Sequence, residues 1–282
     1  MKKQFLISGI GLLTVILLFI FGDTIGEKKP VPAAQPQTPT KSFDIQQFIT
    51  EKKERLSPSQ TLYIAKLENG ISRGDVVNQQ IKNSEALAAF WKDSLKSFEP
   101  YAFYIAEAAK LDNSEKNLTF AARLFSENLR SENDEAKLQW QTTTAIDLFE
   151  RAIKLNPGND DLRIGLGSCY IFGRGRNGDP QQTMAGIQEL LTVVRKDSNN
   201  MKAQMMLGVG GIVSGQYDKA TERLIKVVTA QPGNVEAIAF LADAYAGKGD
   251  KAEAIKWYNV SKRLINNPEY TREADERIRL LK

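Results

Sequence analysis

A spacing of 34 residues governs the second half of the chain. The residues that repeat at this distance are similar in size and polarity: Leu207 and Leu241, Gly208 and Ala242, Gly215 and Gly249, Ala220 and Ala254. A fixed period of this length indicates structural units that cannot bury their apolar faces alone and must stack on their neighbours. The sequence therefore predicts an array of stacked units.

Each unit has the apolar pattern of α-helices. From Ser42 onward, apolar residues recur every three or four positions, for example at Leu87, Phe90, Trp91 and Leu95. This is the period of a helix that buries one face, and no run of alternating apolar and polar residues indicates a strand. Helix-breaking pairs such as Pro157-Gly158 and Pro232-Gly233 separate the segments. We expect an all-α fold.

The second helix of each unit has a signature of its own. A small residue is followed by a bulky one four positions later and an apolar one three positions after that. Three such sets lie at Ala145, Phe149 and Ala152, at Gly186, Leu190 and Val193, and at Ala220, Leu224 and Val227. Leu166 and Leu207 are 41 residues apart, seven more than the period. The extra residues are expected in the turn between Phe172 and Pro180.

These residues resemble the tetratricopeptide repeat (TPR) family, whose unit of 34 residues is a helix–turn–helix. The resemblance covers residues 141–267 and implies a right-handed α-solenoid of such pairs. Residues 43–140 look like degenerate helical or TPR-like pairs, with Ala121, Ala122 and Phe125 in the first helix of the unit that ends at Pro157. Residues 268–282 have an amphipathic pattern and are expected to cap the array as a final helix.

The resemblance also implies a binding surface, because the first helices of TPR pairs line a concave groove that takes a protein or peptide partner. Carried over by register, the groove residues are Asp161, Ile164, Ser168, Lys202, Met205, Val209, Glu236, Ala239 and Asp243. Ile164 and Met205 occupy positions where some TPR domains use lysine to clamp a terminal carboxylate. We therefore expect no carboxylate clamp.

The beginning of the chain predicts a membrane anchor. Residues 5–22 are an uncharged apolar run of 18 residues, just long enough to cross a bilayer as a helix. Lys2 and Lys3 precede the run, so residues 1–4 are expected in the cytoplasm and the bulk of the chain in the periplasm. A cleaved signal peptide is the alternative, but no small-residue cleavage site follows the run. Residues 23–42 form a Pro-rich linker.

Composition argues against catalysis. The chain has no histidine and a single cysteine, Cys169, which excludes histidine-dependent catalytic and metal sites and any intrachain disulfide. The segment 173–178 matches GxGxxG but lies in a turn between helices, so we expect no nucleotide site there. Its exposed amides, with Arg174 and Arg176, form a candidate loop for an anion or a partner carboxylate. We expect no catalytic residue, metal or other cofactor.

The expected function is therefore that of a non-enzymatic, membrane-anchored scaffold that binds a protein or peptide partner in its groove. The alternative is a periplasmic, chaperone-like accessory factor in protein export or in the assembly of cytochrome c or another envelope complex. No dense basic patch accompanies the net charge of +4, so nucleic acid is not an expected partner.

Overall fold

The computed structural model describes residues 42–72 and 76–282, and these residues contain helices and turns without strands. In chain order the α-helices are α1 (Ile45–Lys53), α2 (Pro58–Ser72), α3 (Val77–Asp93), α4 (Phe98–Asp112), α5 (Glu115–Asn128), α6 (Glu135–Leu155), α7 (Asp160–Cys169), α8 (Pro180–Lys196), α9 (Met201–Val213), α10 (Tyr217–Ala230), α11 (Val235–Lys248), α12 (Lys251–Ile265) and α13 (Pro268–Leu281).

The predicted anchor at residues 5–22 lies outside the described residues, as does the predicted linker up to residue 41. Within residues 42–72 and 76–282, no helix is long and apolar enough to cross a membrane.

Successive helices pack as pairs that stack on one another. Helices α3 and α4, α5 and α6, α7 and α8, α9 and α10, and α11 and α12 form the pairs, and α13 packs against α12. The core consists of a series of clusters, each shared by consecutive helices, as expected when a unit contacts only its neighbours. This arrangement is the all-helical solenoid that the period predicts.

The small positions of the period are where helices approach most closely. A Cβ atom added to Gly208 would lie 2.6 Å from Cγ of Leu224, and one added to Gly167 would lie 2.8 Å from Cγ of Leu190. The bulky residue of the second helix thus fills the space left by the small residue of the first. Both leucines are fully buried, which confirms the packing expected from the sequence.

The asparagine after each helix break caps the next helix. Side-chain oxygens of Asn159, Asn200 and Asn234 accept hydrogen bonds from backbone N–H groups at 3.0–3.1 Å. Such caps satisfy amide groups that have no partner inside the helix. They fix the start of α7, α9 and α11, which are the helices expected to line the groove.

The seven extra residues lie directly after α7. The chain continues from Cys169 into a π-helical turn, Tyr170–Arg174, and then a 3-10 turn, Gly175–Asn177. Gly173 and Gly175 are buried, and an added Cβ would collide with Thr142 and Thr183 respectively. The glycines allow close packing here. The segment follows a helix, unlike a dinucleotide-binding loop, which follows a strand.

Cys169 offers a probe of this core. The thiol is fully buried, and burial raises its pKa well above the ordinary value. We expect no reaction with a thiol reagent such as Ellman's reagent in the native protein, and complete reaction once urea unfolds it. A fast reaction in the native state would show that the α6–α7 region opens readily.

Candidate functional site

The first helices α5, α7 and α9 line an open groove of about 370 Å³. Four residues predicted from the register lie in it: Asp161, Ile164, Ser168 and Lys202. The other lining residues were not predicted as groove residues and are Arg123, Ser126, Glu127, Arg130, Gly165 and Phe172. The groove combines charges of both signs with one aromatic ring, a surface suited to a peptide segment.

Asp161 is the charged centre of this groove. Lys202 Nζ lies 2.8 Å from Asp161 Oδ1, and Arg123 approaches the other carboxylate oxygen at 3.9 Å. The hydrogen bond from Lys202, together with the two positive charges, holds the pKa of Asp161 below its usual value. Because the pKa is depressed, this contribution to stability is present near neutral pH and is lost as the pH falls through the folded-state pKa.

Four of the predicted groove residues are wholly or partly in the core. Ile164 lines the groove but is only 2% exposed and belongs to the same core cluster as Val209. Val209 is only 3% exposed and packs with Leu207 and Ile171, so it does not offer a surface to a ligand. Met205 is half-buried against the cores of two neighbouring pairs, and Ala239 is half-buried on α11. Their role here is mainly packing between helices.

The two acidic residues predicted on α11 are both paired. The carboxylate of Glu236 forms an ion pair with Arg130, from the turn after α5. Asp243 pairs with Arg277 of α13 and accepts a hydrogen bond of 2.6 Å from the hydroxyl of Tyr258. The final helix thus covers the α11 end of the predicted groove.

Arg174 and Arg176 are engaged within the chain. Arg174 donates hydrogen bonds to Gln182 Oε1 at 3.2 Å and to Thr143 Oγ1 at 3.3 Å. Arg176 donates to the carbonyl oxygens of Leu129 and Arg130 at 3.2 and 3.3 Å. The anion-binding role of this loop stays a prediction, while Arg176 has a structural role at the end of α5.

Comparison with known proteins agrees with this architecture. The family model for the tetratricopeptide repeat matches residues 213–271. A thermophilic TPR protein from Thermus thermophilus, TTC0263, has a TM-score of 0.53 at 15% identity, over 70% of this chain and 98% of that one. Residues 213–271 therefore carry tetratricopeptide repeat sequence.

Other solved TPR proteins are similar with lower TM-scores. The alignment with MamA covers 65% of this chain and 91% of the MamA chain, with a TM-score of 0.46 and 19% identity. YrrB, described as a TPR protein with an unusual peptide-binding site, covers 74% and 97%, with a TM-score of 0.45 and 17% identity. A search of curated proteins found no match.

The TPR register explains which groove residues could have been found from the sequence. Ser168 and Val209 each lie two positions after the leucine of the Leu-Gly pair, and Arg123 lies two positions after Ala121. Extending the register to α5 would therefore have predicted Arg123. Arg130 could not be found in this way, because it lies in a turn outside the helical register and only the packing of the pairs brings it to the groove.

Proposed function

We propose that this TPR protein is a membrane-anchored, non-catalytic scaffold that captures a segment of a partner protein in the groove between α5, α7 and α9. TPR arrays serve as protein–protein interaction scaffolds, and their stacked first helices form extended binding surfaces. The groove itself supports the proposal most directly. Three successive pairs contribute exposed charges and an aromatic ring to it, and its volume is about 370 Å³.

The apolar run at residues 5–22 supports the membrane part of the proposal. In this arrangement the anchor holds the repeats on the periplasmic side of the inner membrane. Tethering two partners to one membrane raises their effective concentration, so a weak groove contact is enough for capture.

The test is crosslinked co-purification from membranes, comparing the wild type with Lys202→Glu. The Lys202 side chain is 57% exposed and lies in the groove, so charge reversal alters the binding surface with little effect on stability. Met205→Glu is a poorer choice because it would place a carboxylate against two core clusters.

Lys196→Glu is the matched control. Its side chain is 62% exposed, it pairs with Asp160 on the same helix as Asp161, and it does not line the groove. A partner lost with Lys202→Glu and kept with Lys196→Glu would support a groove-binding scaffold. A broad set of exported proteins, lost in the same way, would support the chaperone-like role. A partner set that neither variant changes would refute binding in this groove.

A further inference from the structure

One arginine that lines the groove contacts residues of two other helix pairs. Arg130 follows α5, and its guanidinium lies 4.2 Å from the ring centroid of Phe172 and 5.8 Å from that of Phe240. The same group forms the ion pair with Glu236, a residue 106 positions away in the chain. We call Phe172, Phe240 and Glu236 the cation cage.

The chemistry of the cation cage fits a guanidinium. Aromatic faces attract a cation through the quadrupole of the ring, and a carboxylate accepts its N–H groups. A planar guanidinium can make both contacts at once, whereas an ammonium acts as a compact point charge. The cage therefore favours an arginine side chain over a lysine side chain.

The segment that follows α7 supplies one ring of the cage and positions Arg130. Phe172 belongs to the π-helical turn that follows α7. Arg176, in the next turn, donates hydrogen bonds to the carbonyls of Leu129 and Arg130 and so holds the backbone that carries the Arg130 side chain. A TPR unit of regular length would lack this segment.

The contacts of Arg130 are also exchangeable. Its side chain is 44% exposed, and that of Glu236 is 40% exposed. Exposed ion pairs and exposed cation–π contacts are each weak, so the side chain can leave the cage at a small cost while Arg176 keeps the backbone in place.

We propose that the cation cage is the subsite for an arginine side chain of the partner segment, and that Arg130 is its intramolecular competitor. The proposal rests on the proposed function, since it names the chemistry of the segment that the groove takes. An incoming arginine would form the same ring and carboxylate contacts, and Arg130 would turn outward into water. The site is thus self-occupied until a partner supplies the matching residue.

The experiment measures binding of a fluorine-labelled peptide, with one arginine between glycine and serine residues, to the full chain in detergent by fluorine NMR. Arg130→Ala should bind this peptide about tenfold more tightly than the wild type, because the weak contacts of the competitor are removed. A peptide with citrulline in place of arginine keeps the shape of the side chain and loses its charge. Its affinity for Arg130→Ala should be no higher than for the wild type.

Two further variants make the result specific. Adding Glu236→Gln to Arg130→Ala should remove the gain, because the cage then lacks its carboxylate. Arg151→Ala is the matched control: its side chain is also 44% exposed, and it pairs with Asp147 within α6. Arg151→Ala should leave the peptide affinity unchanged.

The proposal is overturned if Arg130→Ala and the wild type, with equal melting temperatures, bind the arginine peptide equally or not at all. It is also overturned if the citrulline peptide gains as much as the arginine peptide. If either result were found while a partner is still lost in Lys202→Glu, the proposed groove-binding function would remain supported. A gain in peptide affinity without any groove-dependent partner would support the cage and refute the scaffold.

Discussion

Replacing Phe149 with alanine should lower the free energy of unfolding by about 3–5 kcal/mol, as for other buried phenylalanines. The Phe149 side chain is 1% exposed and lies in a core cluster shared by α4, α5, α6 and α7. Its ring fills the space beside Gly165, which has no side chain of its own to occupy a cavity. The measurement is urea-induced unfolding followed by circular dichroism.

Phe120→Ala is the control for this prediction. Phe120 is 54% exposed on α5, so the same chemical change removes little buried surface, and we expect a loss below about 1 kcal/mol. Equal losses in the two variants would show that Phe149 does not pack as described. Because solenoid units couple mainly to their neighbours, a broadened transition in Phe149→Ala would itself indicate that the array has separated into parts.

The core could be predicted from the sequence because it follows the period. The bulky residues Phe149, Leu190 and Leu224 were identified by spacing alone, and each is almost fully buried. The small partner Gly208 was identified in the same way. Local periodicity is sufficient here, since each helix buries the same face against the same neighbours in every unit.

The groove could be predicted only in part. Asp161 and Lys202, which register assigns to the groove, both line the cavity, because they lie on first helices of adjacent pairs. It did not reveal that Val209 is enclosed, since burial depends on how closely successive pairs approach. Nor did it reveal the contact of Arg130 with Glu236, which depends on how four successive pairs, from α5–α6 to α11–α12, are placed relative to one another.

A single added methyl group at Gly167 should also destabilise the protein, by about 1–2 kcal/mol. An alanine Cβ there would lie 2.9 Å from the carbonyl oxygen of Gly186, and backbone cannot move aside as a flexible side chain does. Overpacking of this kind lowers the free energy of unfolding by about 1–3 kcal/mol, and the better helix propensity of alanine offsets about 0.5–1 kcal/mol of that loss. The measurement is again the free energy of unfolding in urea.

Gly233→Ala separates the packing term from the general effect of replacing glycine. Gly233 lies in a turn, and an added Cβ there would have no heavy atom within 4 Å, so we expect a change of less than about 0.5 kcal/mol. A stabilised Gly167→Ala would contradict the prediction, because helix propensity would then outweigh packing. A loss confined to Gly167→Ala would show that α7 packs closely against α8 at Leu190 and the backbone of Gly186. That contact determines where the chain leaves α7, and therefore where Phe172 and Arg176 meet Arg130.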